Sequence, residues 1–151
     1  MADWITPIYD RTQADVDIAI AKISEWKKSG STNVYALKGC LNVADINRIE
    51  NNIKYLSDHL TTFYYFPNTV SKTWDMSGLP DMAEVTRILG NIEKIISAFG
   101  QSESAPEVPK TMLTYEQIND IEENLYFLKE LLDDLVGFFR ECGTFTCGEA
   151  W

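Results

Sequence analysis

The sequence predicts an all-α fold, a single four-helix bundle-like domain with internally similar helices and extended aromatic termini. Three observations carry this expectation. Apolar residues recur at alternating intervals of three and four, the spacing that lines one face of an α-helix. Capping residues open these segments and glycine closes most of them. With 151 residues, 45% of them hydrophobic, the chain can bury one sizeable core but is short for two unrelated domains.

The clearest helix lies in LNVADINRIENNIKYLSDHL, Leu41 to Leu60. Ile46, Ile49, Ile53, Leu56 and Leu60 form its stripe, with Asn47, Arg48, Asn51 and Lys54 outside it. Asn42 with Asp45 caps it, giving a helix over about 43–60. Upstream, MADWITPIYDR places Trp4, Ile5, Ile8 and Tyr9 around Pro7, so this segment is expected to be extended and held by aromatic contacts. Thr12 with Asp15 then opens a helix over about 12–29, with Val16, Ala19, Ile20, Ile23 and Trp26 as its apolar face. Lys27, Lys28 and Gly30 close it. In STNVYALKGC, Val34, Tyr35 and Leu37 suggest a brief helical turn ended by Gly39.

The loop over 61–79 is the most aromatic stretch, with Phe63, Tyr64, Tyr65, Phe66 and Trp74. Either its rings cover the open end of the bundle, or some stay exposed as anchors for another chain. A third helix over about 80–99 takes Pro80 in its first turn, with the stripe Val85, Ile88, Ile92, Ile95 and Phe99 before Gly100. The linker over 100–113 carries two prolines among small polar residues and is long enough to cross the bundle. Thr114 with Gln117 opens the longest helix, about 115–142, whose stripe is Ile118, Ile121, Leu125, Leu128, Leu132, Leu135 and Phe139. Tyr126, Phe127, Leu131, Val136 and Phe138 widen that face, so this helix is expected to be the most buried. The connections suggest an antiparallel bundle. The tail over 143–151 alternates in a strand-like way.

Three helices align: DINRIENNIKYL from Asp45, EVTRILGNIEKI from Glu84 and QINDIEENLYFL from Gln117. An asparagine precedes the third apolar position each time, as Asn52, Asn91 and Asn124. Such amides either bond loop backbone or a neighbouring helix and fix register, or offer a shared contact to a partner protein.

The formal net charge of −10 gives a field that repels phosphate backbones, which argues against nucleic acid as a direct partner. No apolar run reaches membrane-spanning length, and the first residues lack a signal peptide's pattern, so synthesis and retention in a cytoplasm are expected. Cys40, Cys142 and Cys147 do not suggest a disulfide framework; the last two, separated by GTFT, are a local disulfide or two free thiols. His59 is the only histidine and no triad can be read around it. The Glu-x-x-His pattern of helical di-metal sites is absent, as are phosphate-binding glycine fingerprints, so no catalytic residue, metal or cofactor is expected.

DRTQADVD (Asp10 to Asp17), LKGCLNVADINRIENNIKYLSD (Leu37 to Asp58) and YEQINDIEENL (Tyr115 to Leu125) together resemble a family of small helical proteins and tail-protein segments of phages and prophages of Gram-positive gut bacteria. CGTFTCGE is similar to the family's glycine-rich ending. The resemblance implies a non-enzymatic virion structural role at the tail tip, baseplate or fibre attachment. It further implies other phage structural proteins as partners, a homo-oligomer in the particle, and a path from host cytoplasm to virion. Trp4, Tyr64, Tyr65 and Trp74 are the candidate partner anchors. The alternative is an acidic phage-encoded inhibitor that occupies a basic site on a host defence or nucleic-acid-binding protein.

Overall fold

Helix starts follow the local chemistry of the sequence closely. The computed structural model describes residues 2–30, 37–78 and 80–142. Among these it has four α-helices and no strand: α1 (Gln13–Ser29), α2 (Val43–Thr62), α3 (Met82–Phe99) and α4 (Tyr115–Cys142). Thr12 and Asn42 each form a reciprocal capping box with the aspartate three residues on. The Thr114 hydroxyl likewise accepts the Gln117 N–H while the Gln117 side chain accepts the Thr114 N–H. At α3 the Asp81 side chain accepts the Glu84 N–H. Pro80 therefore lies before the cap, outside the first turn that the sequence suggested, because Asp81 is the better N-cap residue. Val34, Tyr35 and the alternating tail from Gly143 lie outside the described residues.

The core is the meeting of three stripes. Ile46, Ile49, Ile53, Leu56 and Leu60 from α2 pack with Val85, Ile88, Ile92 and Ile95 from α3 and with Ile121, Leu125, Leu128 and Leu132 from α4. α2 touches both other helices and is the most buried; α4, expected in that place, has its last turns at the bundle's edge, with Leu135 half-buried and Phe139 exposed. α1 keeps only Ala19 buried, while Ile20 and Trp26 are exposed, so its apolar face is not core.

α2, α3 and α4 run parallel, not antiparallel. Their late turns share one end, where Phe63 meets Phe139 and Tyr65 meets Phe99 at 5.2 and 5.3 Å between ring centroids. Their early turns also face each other, as Arg87 meets Glu50 and Arg48 meets Glu122. Connector length explains this. A helix of α2's size is about 30 Å long and about nine extended residues span that distance. The connectors from Phe63 to Asp81 and from Gly100 to Thr114 are longer, so each returns to the starting end before its helix begins. Together with the N-terminal segment 2–12 they form three extended straps over the bundle.

Candidate functional site

Straps without a β-ladder must satisfy their backbone groups in some other way, and here side chains of the helices do it. Asn52 accepts the Ile5 N–H at 3.0 Å and donates to the Ile5 carbonyl at 2.7 Å. Asn91 holds Val70 in the same two-point manner at 3.2 and 2.8 Å. At the third repeat position the strap residue is Pro106, which has no N–H to give. Asn124 Nδ2 still donates to the Pro106 carbonyl at 3.0 Å, and its Oδ1 takes the Gln101 side-chain amide at 2.8 Å instead. The recurrent asparagine is thus a clasp for a passing strap.

The clasps continue along each groove. Asn47 holds both backbone groups of Trp74 at 2.7 and 2.9 Å, and its repeat equivalent Asn119 holds both of Arg11 at 3.2 and 2.9 Å. Between the asparagines, Glu50 accepts the Lys72 N–H at 3.3 Å and Glu122 the Ile8 N–H at 2.8 Å. Sequence reasoning passed over Asn47, Asn119, Glu50 and Glu122, although N-x-I-E-x-N stands in both α2 and α4 of the aligned repeat.

These glutamates are also ion-pair centres. Glu122 is fully buried and takes Arg48 through Nε at 2.8 Å and Nη2 at 2.6 Å, and Arg11 through Nη2 at 3.0 Å. Asp45 joins the same two guanidinium groups. Burial works against the charged Arg48, but the bonds and charges of Glu122 and then Asp45 outweigh it and push the guanidinium above its ordinary value. Glu50 takes Arg87 of α3 and the Trp74 indole N–H. One relation therefore recurs: the arginine of one helix reaches the glutamate of the next, from α3 to α2 and from α2 to α4. In the third pairing the two positions are Asp120 and Leu89, so an acid stands in place of the arginine and an apolar residue in place of the glutamate, and no ion pair can form there.

The structure places the four expected anchors differently. Trp4 is half-buried against Tyr55, with Lys129 over its ring; Tyr65 packs edge-on to Phe99; Trp74 is clasped by Asn47 and Glu50. Tyr64 alone stands free, 86% exposed, with Phe66, Phe138 and Phe139 as other exposed rings of this end. Tyr64 has φ 66° and sits just past α2, where the Tyr64 N–H bonds Thr61 and the Tyr65 N–H bonds Leu60. This is the helix-ending position that glycine normally occupies. His59 stacks on Tyr55 and faces the Tyr55 carbonyl, with no acid–base partner among the described residues. Among the described residues no group of three or more His, Cys, Asp or Glu could hold a metal ion, and no helix is long and apolar enough to cross a membrane. Cys40 is a free thiol, pushed up by burial and by Asp45; Cys147 lies outside the described residues.

Comparison of the chain with protein-family models, curated proteins and solved structures gives no match.

Proposed function

We propose that this chain is a non-enzymatic virion module of a phage or prophage, associated with the tail or baseplate and acting by protein–protein docking. The observation that carries the reading is the division of labour between its signature and its surface. The resembling motifs supply Arg11, Thr12, Asp15, Asn42, Asp45, Asn47, Arg48, Glu50, Asn52, Asn119 and Glu122, which cap helices, clasp straps or fill the buried ion network, and Gly39, which lets the backbone approach the start of α1. Their recurrence is explained by folding rather than by chemistry on a substrate. Of the four candidate anchors the one left exposed, Tyr64, is held in a left-handed conformation that costs a non-glycine residue about 1–2 kcal/mol, a cost that glycine at this helix end would avoid. Local strain retained on an exposed aromatic fits a contact surface.

Tyr64→Gly separates folding from docking. The variant is expected to melt at the same temperature or higher, since glycine suits the helix end, and to lose incorporation into purified tail particles. Unchanged incorporation by a folded variant would refute docking at this end. Recovery of the chain on a basic host protein instead of particles would transfer the reading to the acidic inhibitor.

A further inference from the structure

Two uncovered apolar surfaces carry opposite net charge, one on the second half of α1 and one on the last turns of α4. α1 is rooted where α2 and α4 begin, because Arg11 before it is held by Asn119 and Asp45, and Lys38 after it by Asp10 and Asp15. Past Ala19 the helix presents Ile20, 59% exposed, and Trp26, 44% exposed, with Ile23 half-buried between them. The charged residues from 20 to 30 are Lys22, Glu25, Lys27 and Lys28, three positive and one negative, a local +2 in a chain of net −10. On the last turns of α4, Phe138 is 61% and Phe139 52% exposed. From 129 to 139 the charged residues are Lys129, Glu130, Asp133 and Asp134, one positive and three negative, a local −2.

We infer that the Ile20–Ile23–Trp26 face of α1 docks on the Phe138–Phe139 end of a second copy of this chain, head to tail. Charge complementarity selects the occupant. Like ends brought together would oppose two cationic or two acidic faces, whereas unlike ends pair Lys22, Lys27 and Lys28 with Glu130, Asp133 and Asp134 around an apolar centre. A contact between different surfaces of identical chains is heterologous and repeats from copy to copy. The inference deepens the docking reading above and rests on it, naming the chain itself as one partner.

Sedimentation of the full chain, with two surface variants, tests this. The unmodified chain is expected to grow in mass with concentration and to lose that growth in about 1 M salt, where charge attraction is screened within about 3 Å. Trp26→Glu with Lys27→Glu blocks one face and Phe138→Asp the other; each variant alone is expected to be monomeric with unchanged helicity. Mixed, they retain one good face each and are expected to form a one-to-one dimer and stop. A monomeric unmodified chain at all concentrations, an oligomer that survives both variants, or no complex in the mixture would overturn the inference. If that happens while Tyr64→Gly still abolishes particle incorporation, self-docking falls and docking to other particle proteins stands.

Discussion

Arg48 of α2 and Glu122 of α4 meet as a two-point pair, Nε to Oε2 at 2.8 Å and Nη2 to Oε1 at 2.6 Å, with Glu122 fully buried and Arg48 nearly so. Glu122 also receives Arg11 and the Ile8 amide, so one carboxylate ties α2, α4 and the first strap together. Removing it leaves two buried guanidinium groups with Asp45 as their shared carboxylate. Glu122→Ala is expected to lower stability by about 3–5 kcal/mol in urea unfolding. The exposed Lys54–Asp58 pair provides the contrast: Lys54→Ala is expected to cost about 1 kcal/mol or less.

Pro106 and Gln101 form a compensating pair. Gln101 bonds both Asn124 Oδ1 and the Pro106 carbonyl, covering the acceptor that an N–H covers at the other two straps. Gln101→Ala is expected to cost about 1–3 kcal/mol by leaving Asn124 Oδ1 unmet. In a Pro106→Ala background the new N–H can take that place, and the same substitution is expected to cost less. A double-mutant cycle measures the difference as a coupling energy; additive effects would show that Gln101 does not stand in for the missing N–H.

The helices themselves were legible, because three-four spacing and capping boxes are local signals, and Asn52, Asn91 and Asn124 stood out in the aligned repeat. Direction was not. A stripe such as Ile46 to Leu60 is the same in a parallel and an antiparallel bundle, and the connectors had to be recognised as return straps before the parallel arrangement could follow. The exposure of α1 was hidden for a similar reason, since Val16, Ile20 and Ile23 have core spacing whether or not a neighbour is there. Trp4, Tyr65 and Trp74 were grouped with Tyr64 by composition alone, which cannot separate a clasped or packed ring from a free one.

Gly39 sets how closely the root of α1 approaches the bundle. A Cβ there would lie 2.1 Å from the Asp15 carbonyl oxygen, and backbone cannot rotate out of the way as a flexible side chain could. Gly39→Ala is expected to lower the melting temperature and to open the α1 junction to limited proteolysis, with the α2–α3–α4 core retained. An unchanged digestion pattern would mean that this contact does not hold α1.

Asp120 is the unpaired remnant of the third arginine–glutamate relation. Burial, then the nearby Glu116 charge, pushes its carboxyl above the ordinary 3.8. A raised acid binds its proton more tightly folded than unfolded, so ionised Asp120 weakens folding above the raised value and the penalty lifts as pH falls through it. Asp120→Asn is therefore expected to stabilise the protein at neutral pH, with the gain shrinking as the pH approaches 3.8. Melting curves across pH check this; a gain that grows on acidification would contradict the sign.

Side-chain clasps, rather than strand pairing, hold the extended segments over the parallel helical core. Hydrogen exchange on the second strap tests it most directly. The Val70, Lys72 and Trp74 amides, each bonded to Asn91, Glu50 or Asn47, are expected to be protected, and Asn91→Ala to release Val70 first. Exchange of all three at the rate of an unstructured chain would contradict the account.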